Sequence, residues 1–281
     1  MFASPGPQLV GPFRWYGALI AAGTLLGLWL ATREAVRRRL DPDALTTAAL
    51  VAILVGFLGA RLYYVAFNWD LYAQRPWDIP QIWKGGLAIH GGLFAGVLAG
   101  WLYMRARRLP VLPYLDVAAP SLVLAQAIGR WGNFFNSEAY GRPTDLPWKL
   151  YIPPERRLPG YEGFEFFHPT FLYESLWDFG VFLLLFFVLR RRLETRPGAL
   201  FFCYLGLYSL GRFFIEGLRL DSLMAGGVRA AQVVSLLLIL LAAAGLTWRL
   251  KTPPAAPAAA AASRSGADGR RASAGSARGG R

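Results

Sequence analysis

The stretch Val228-RAAQVVSLLLILLAAAGLT-Trp248 is almost entirely apolar and carries no charged side chain after Arg229. A helix that crosses the hydrocarbon core of a bilayer needs about 20 such residues. Runs of similar length and composition recur along the chain, in which 55% of the 281 residues are hydrophobic. Because several such helices can bury a shared interior, the sequence predicts an all-α membrane protein with one membrane domain.

We predict seven membrane-spanning helices. Arginines concentrate in the links after the first, third and fifth of them, and short cytoplasmic links are typically rich in Lys and Arg. This pattern predicts an N-terminus outside and a C-terminus inside. It also attributes the net charge of +13 to membrane topology rather than to a nucleic-acid partner. The predicted spans are Trp15–Thr32, Leu45–Phe67, Gly86–Tyr103, Tyr114–Phe135, Pro169–Leu189, Ala199–Gly217 and Val228–Trp248.

Three regions flank or interrupt the predicted membrane domain, residues 15–250. Residues 1–14 have no apolar run followed by a cleavage site, so we interpret them as an outer N-terminal segment rather than a signal peptide. The link 136–168 is rich in proline and aromatic residues. It predicts a small folded cap on the outer membrane interface, with a floppy loop as the alternative. Residues 251–281 consist mainly of Ala, Pro, Gly, Ser and Arg and predict a disordered inner tail.

Polar residues inside the predicted spans fall at one depth, in the outer half of the bilayer. In the sixth span, Tyr208, Arg212 and Glu216 recur every four residues and therefore share one face of the helix. Ionisable residues inside spans are energetically costly and usually functional. The residues that this topology places at the same depth, besides those three, are Tyr16, Arg61, His90, Gln126, Arg130, Asn133 and Arg219.

Some of these residues have structural alternatives. Arg61 can extend to the outer headgroups, Arg212 and Glu216 can form a purely structural ion pair, and Tyr16 can anchor the interface. Arg130 is harder to explain in this way. It stands between Gly129 and Gly132, where the small residues let other groups approach the backbone closely.

Two arginines that face one pocket indicate a phosphate ligand, because a guanidinium binds phosphate oxygens through a two-pronged fork. At headgroup depth that ligand is a phospholipid. His90, Glu138 and Glu216 are candidates for proton transfer. We predict no metal and no cofactor: His90 and His168 lack ligand spacing, Cys203 is the single cysteine, and no nucleotide-binding motif is present.

The stretch Gly129-RWGNFFNSEAY-Gly141 closely resembles the signature of bacterial prolipoprotein diacylglyceryl transferases. Further pieces match that family in the same order along the chain, and the resemblance extends from residue 15 to about residue 245. These pieces are Trp15–Gly17, Gly59–Leu62, Ile89–Leu93, His168–Thr170, Leu172–Glu174 and the positions Tyr208, Arg212, Glu216 and Arg219.

The resemblance implies an enzyme of the bacterial inner membrane, multi-pass, with its site toward the periplasm. Such enzymes move the diacylglyceryl group of phosphatidylglycerol to the lipobox cysteine of a preprolipoprotein, whose signal peptide is the second partner besides the lipid bilayer. A thioether forms and glycerol phosphate departs. The positions that the resemblance marks as important are Arg130, Arg212, His90, Tyr16, Asn133, Glu138, Tyr208, Glu216 and Gly141. We predict that all of them except His90 and Glu216 bind the substrate, and we add Arg61 to this set.

A mechanism follows as a hypothesis. The acceptor thiol has an ordinary pKa of ~8.5, so it needs a base or a cationic field at neutral pH. We assign His90 as the candidate base, Arg130 and Arg212 as the phosphate clamp, and Glu216 as the residue that orients Arg212. A purely electrostatic mechanism with no single base is the alternative.

Two other function classes compete with this one. A transporter or flippase for a phospholipid or anionic solute would use the same arginines without making a bond, but alternating access calls for a site near the membrane midplane. A membrane scaffold that binds a partner through the cap leaves the arginines inside the spans unexplained.

Overall fold

The computed structural model describes residues 2–11, 13–82 and 85–254, and these are mostly helical. Clustering of contacts divides the chain into two compact units. Met1–Gly27 and Ala118–Arg281 form the first unit, and Leu28–Val117 form the second. The α-helices of the described ranges are α1 (Trp15–Arg37), α2 (Pro42–Phe67), α3 (Trp69–Gln74), α4 (Ile89–Ala106), α5 (Val111–Asn136), α6 (Thr170–Leu183), α7 (Arg190–Arg192), α8 (Ala199–Glu216) and α9 (Ala230–Lys251).

Within the described ranges, six helical stretches are long and apolar enough to cross a membrane: α1, α2, α5, α8, α9 and the run Thr170–Arg192. The last comprises α6, a π-helical turn at Leu184–Leu189, and α7. Six of the seven predicted spans coincide with them. The remaining predicted span, Gly86–Tyr103, corresponds to α4, which has 18 residues and is not among the six. His90 and Arg105 stand near its two ends and lower its mean hydropathy, so the seventh span and the orientation stay predictions.

In the unit Leu28–Val117, α2 and α4 cross at very short range. A methyl group added at Gly59 would lie 2.7 Å from the carbonyl oxygen of Gly91, and one added at Gly96 would lie 2.8 Å from that of Ala52. Small residues on facing helices permit this approach of two backbones. The crossing at Gly59 and Gly91 lies beside His90 of α4, so the packing of the two helices fixes where His90 stands relative to α2.

In the other unit, hydrogen bonds from α6 fix its register against its two neighbours. The hydroxyl of Ser175 donates to the carbonyl of Ala127 on α5 at 2.9 Å. The indole Nε1 of Trp177 donates to the carbonyl of Leu207 on α8 at 2.9 Å. This contact requires Gly211, because a methyl group there would overlap the Trp177 ring. These two hydrogen bonds fix the positions of α5, α6 and α8 along their axes next to the charged residues of the three helices.

The strands are short, and three of them build a small sheet. They are β1 (Phe2–Ala3), β2 (Gln8–Val10), β3 (Phe13–Arg14), β4 (Leu150–Tyr151), β5 (Phe166–Phe167), β6 (Met224–Ala225) and β7 (Val228–Arg229). The sheet has the order β1-β4-β5, in which β1 pairs parallel to β4 and β5 antiparallel to it. β2 pairs with β3 and β6 with β7 as two-stranded ribbons.

An apolar core lies under the three-stranded sheet. Tyr140, Leu150, Ile152, Phe167 and Phe171 are buried and pack together there. The link 136–168 thus has a core of its own, and residues 2–3 of the N-terminal segment complete its sheet. The position of this region outside the membrane stays a prediction, and residues 255–281 of the predicted tail lie outside the described ranges.

Candidate functional site

Two arginines from different helices share one carboxylate. Nη1 of Arg212 on α8 lies 2.6 Å from Oε1 of Glu174, and Nη1 of Arg130 on α5 lies 3.1 Å from Oε2 of the same group. Glu174 stands in the second turn of α6, between the two helices that carry the arginines. Its side chain is only 5% exposed, so both ion pairs are formed in a largely dehydrated setting.

Three further charged residues surround this bridge. Nη2 of Arg212 lies 2.7 Å from Oε2 of Glu216, one helical turn later on α8. The guanidinium of Arg219 pairs with the carboxylate of Asp221 through Nε at 2.9 Å and Nη2 at 2.8 Å, while its Nη1 lies 4.0 Å from Oε2 of Glu174. Three cations and three anions therefore alternate within one cluster. The spacing of four between Arg212 and Glu216 places them in contact, as the sequence predicts.

The end of α8 is held by a cation from the next segment. Nη1 of Arg229 donates to the carbonyl of Arg219 at 2.8 Å and also to the carbonyl of Glu216. The last carbonyls of a helix have no partner within the helix. Arg229 satisfies two acceptors in this region and thereby fixes the backbone beneath Glu216 and Arg219.

Arg130 and Arg212 are more accessible than the two glutamates that hold them. The side chains of Glu174 and Glu216 are 5% and 2% exposed, whereas those of Arg130 and Arg212 are 20% and 18% exposed. The buried carboxylates pair with the inner side of each guanidinium, and the exposed part of each guanidinium can donate to a ligand. Since a guanidinium offers five donors, each arginine can keep its carboxylate and still bind an anion.

Polar groups continue along α6 and α8 beyond the arginines. Asp178, one turn after Glu174, is 2% exposed. The hydroxyl of Tyr204 donates to Oε1 of Gln126 at 3.1 Å, and its ring stacks on that of Tyr208 with centroids 6.0 Å apart. Asp178, Tyr208 and the arginines interact electrostatically. On α8 the polar cluster therefore extends to Tyr204, one helical turn beyond Tyr208, which the sequence already predicts for it.

The signature segment after Arg130 wraps around the end of α5. The ring of Tyr16 lies directly against the backbone of Gly132, where a methyl group would overlap it. Nδ2 of Asn133 donates to Oε1 of Glu138 at 2.9 Å. The residues that flank Glu138, Ser137 and Ala139, have left-handed φ angles of 52° and 57°. Such strained non-glycine conformations persist only where the surroundings enforce them, and they cluster at functional sites.

Gly141 joins the signature segment to the charged cluster. Its N–H donates to the carbonyl of His168 at 2.9 Å, and it forms a β-bridge with Arg219. A methyl group at Gly141 would lie 2.8 Å from Cβ of His168. Nδ1 of His168 lies 3.1 Å from the hydroxyl of Tyr173, and partial burial holds the pKa of His168 below its usual value.

Two predicted site residues, Arg61 and His90, belong to the unit Leu28–Val117. His90 is the second residue of α4 and is exposed. Arg61 is 5% exposed and donates to backbone carbonyls of the segment that precedes α4. It does not extend into solvent, as the headgroup alternative supposes. Its role in substrate binding stays a prediction.

Sequence reasoning missed the two acidic residues of α6 as site residues. Glu174 bridges the arginines, and Asp178 interacts with them electrostatically. Sequence reasoning points to Glu174 only through the resemblance, and to Asp178 not at all. A signal was present, because two carboxylates four residues apart inside an apolar run share one helix face. In the described ranges, no group of three or more His, Cys, Asp or Glu side chains could hold a metal ion.

Comparison with known proteins shows the family of this chain. Residues 8–248 match the family model described as prolipoprotein diacylglyceryl transferase. A relative named phosphatidylglycerol–prolipoprotein diacylglyceryl transferase, from Trichormus variabilis, is 54% identical over 256 residues, covering 88% of this chain and 91% of the relative. Relatives of the same name are 52% identical in Gloeobacter violaceus, covering 88% and 94%, and 52% identical in Fervidobacterium nodosum, covering 84% and 81%. The chain belongs to the prolipoprotein diacylglyceryl transferase family.

Proposed function

We propose that the protein transfers the diacylglyceryl group of phosphatidylglycerol to the lipobox cysteine thiol of preprolipoproteins. The observation that carries this proposal is the pair of guanidiniums, Arg130 and Arg212, held side by side by the buried carboxylate of Glu174. The family membership and the names of the relatives support the same reaction and do not favour a transporter.

The arginine pair suits a phosphodiester. Each guanidinium binds phosphate oxygens through two N–H groups in one plane. Because Glu174 and Glu216 hold Arg130 and Arg212 in place before the ligand arrives, little rearrangement is needed on binding. Tyr208, one turn from Arg212 on α8, lies within the same electrostatic cluster and is proposed as a further headgroup contact.

The reaction is a displacement at carbon. The sulfur of the acceptor cysteine forms a bond to the glyceryl carbon that carries the phosphate ester, and the bond between that carbon and the ester oxygen breaks with its electrons going to oxygen. The departing glycerol phosphate gains one negative charge. Arg130 and Arg212 stabilise this charge, and each such contact is worth about 3 kcal/mol in the transition state.

The thiol proton must leave before or during the attack. We assign His90 as its acceptor because histidine is the side chain that most often acts as a general base and His90 is exposed at the start of α4. The alternative is that the cationic field of the arginines lowers the pKa of the thiol and no single base acts. Glu216 keeps its proposed role of orienting Arg212, which its 2.7 Å contact supports.

The proposed setting is the bacterial inner membrane. We propose that α4 spans the membrane in addition to the six candidate helices. Seven spans then put the N-terminus and the cap in the periplasm and the C-terminal residues in the cytoplasm. The arginines within residues 33–39, 105–108 and 190–196 support this orientation. The site then faces the outer leaflet, where both a lipid headgroup and the cysteine of a membrane-inserted signal peptide are accessible.

The deciding experiment supplies purified protein with phosphatidylglycerol and a lipobox peptide. We expect the peptide to gain the mass of one diacylglyceryl group on its cysteine and glycerol phosphate to appear in equal amount. A peptide with Cys→Ser and vesicles of phosphatidylethanolamine alone serve as controls. Movement of lipid between leaflets without any mass gain would refute the transferase and establish the transporter instead.

A further inference from the structure

The segment between α3 and α4 is gathered around one side chain, Arg61 of α2. Nε donates to the carbonyl of Ile79 at 2.8 Å and Nη2 to that of Asp78 at 2.6 Å. Nη1 donates to the carbonyls of Gly85 at 2.7 Å and Gly86 at 2.9 Å. Four backbone acceptors that are distant in sequence from Arg61 thus converge on one guanidinium.

Among the described residues, the hydrogen-bond partners of the Arg61 guanidinium are carbonyl dipoles. Arg61 is 5% exposed, and its Cζ lies 5.1 Å from the ring centroid of Tyr72. All the hydrogen bonds that Arg61 donates to described residues end on carbonyl oxygens. Backbone carbonyls in an apolar environment need donors, and a planar group with five N–H bonds can satisfy several of them at once. Because Nε, Nη1 and Nη2 all donate to carbonyls, few N–H groups of Arg61 remain for a phosphate.

The two glycines are adapted to this cation. Gly85 and Gly86 have φ angles of +86° and +77°, a region that residues with a Cβ rarely adopt. A methyl group at Gly86 would lie 2.6 Å from Nη1 of Arg61 and 2.7 Å from the ring of Tyr64. The backbone therefore turns left-handed at the point where it touches the guanidinium, and only glycine fits there.

The same contacts lead directly to His90. The N–H of Ala88, the residue before α4, donates to the carbonyl of Ala60, the neighbour of Arg61, at 3.0 Å. Gly91, the residue after His90, packs so closely on α2 that a methyl group there would overlap Tyr63. His90 is thus bracketed by two contacts with α2, of which the first depends on the position in which Arg61 holds residues 85–86, just before Ala88.

We propose that Arg61 is a positioning residue that fixes the entry into α4 and, through it, the imidazole of His90, rather than a ligand of the phosphate. The proposal rests on the proposed function for the role of His90. A substitution of Arg61 would lower the rate of the chemical step, because small displacements of a catalytic group are costly. The same substitution would leave the binding of phosphatidylglycerol unchanged.

The first test measures kinetics and hydrogen exchange in the same variants. Arg61→Lys keeps the charge, but an ammonium with three donors cannot hold four carbonyls in one plane. We expect kcat to fall about ten- to a hundredfold with KM for phosphatidylglycerol unchanged, and the amides of residues 85–92 to exchange faster. Gly86→Ala should reproduce both effects without altering the cation, while Arg75→Lys, at an exposed arginine of the same segment, should have neither. Unchanged exchange in Arg61→Lys, or a rise in KM at constant kcat, would overturn the proposal.

A second test asks whether Arg61 acts through His90. In a His90→Asn background, Arg61→Lys should cause no further loss of kcat, since a displaced imidazole and an absent one are equivalent. Losses that multiply would show that Arg61 acts by another route and would overturn the proposal. If His90→Asn alone kept full activity, the base assignment of the proposed function would fail, and the exchange measurement would still decide whether Arg61 organises the segment.

Discussion

Replacing Glu174 by glutamine tests whether one buried carboxylate holds the two arginines. Glu174 makes contacts of 2.6 Å with Arg212 and 3.1 Å with Arg130 while only 5% exposed. A glutamine can accept from one guanidinium, but its amide N–H₂ then faces the other, so two cations lose their shared counter-charge. Removing one partner of a buried ion pair costs about 3–5 kcal/mol. At the scale typical of domains of this size, Tm should fall by about 10 °C.

The assay is thermal unfolding of the purified protein in detergent, with and without phosphatidylglycerol. Glu165→Gln, at an exposed carboxylate, is the matched control and should leave Tm unchanged. Because the phosphodiester supplies the negative charge that the variant lacks, saturating phosphatidylglycerol should stabilise Glu174→Gln more than the unmodified protein. The reasoning is refuted if Glu174→Gln unfolds at the same temperature as Glu165→Gln, or if the lipid stabilises both proteins equally.

The remaining predictions concern the phosphate clamp, a close contact and a titrating group. Arg130→Lys keeps the charge but loses the fork, so kcat/KM in the peptide assay should fall about a hundredfold; near-normal turnover would contradict the clamp. Gly132→Ala should destabilise the protein by about 1–3 kcal/mol in thermal unfolding, because its methyl group meets the Tyr16 ring, whereas Gly163→Ala, with open space around it, should not. Burial lowers the pKa of His168, so the unfolded chain binds the proton more tightly and stability should be complete above pH ~6.5 and decline below it. A His168→Gln variant should lose this part of the pH dependence between pH 7.5 and 5.5, and an unchanged profile would contradict it.

The spanning helices could be predicted because their signal is local. An apolar run of sufficient length must form a helix in lipid, and six of the seven predicted spans correspond to helices that meet this criterion. The contact between Arg212 and Glu216 could be predicted equally well, since both residues stand on one helix at a spacing of four. In each case the prediction needs only the period of the helix.

The bridge through Glu174 could not be predicted, because it depends on the alignment of three helices. That alignment is produced by Ser175, by Trp177 and by the absence of a side chain at Gly211. None of these residues looks like part of a site in the sequence. The period of α6 indicates which face carries Glu174, but not which helix that face meets.

Arg61 shows a different limit. A cation at the end of an apolar run suggests an anionic partner, and the sequence predicts a headgroup ligand for that reason. Its hydrogen-bond partners in the structure are the carbonyls of residues 78–79 and 85–86, and the latter two belong to glycines with left-handed φ angles. Backbone acceptors are present at every position, so the identity of the residues in a loop does not reveal which carbonyls will face a guanidinium.

The pairing of Phe2 with Leu150 has a consequence for biosynthesis. Translation proceeds from the N-terminus, so the first strand of the small sheet is made long before its partner and must wait, unpaired, while the helices α1 to α5 are synthesised. The sheet is consequently an element of high contact order that closes late, after most of the helices are in place. A bulky fusion ahead of residue 2 should therefore delay or prevent that last step and leave the insertion of the helices unaffected.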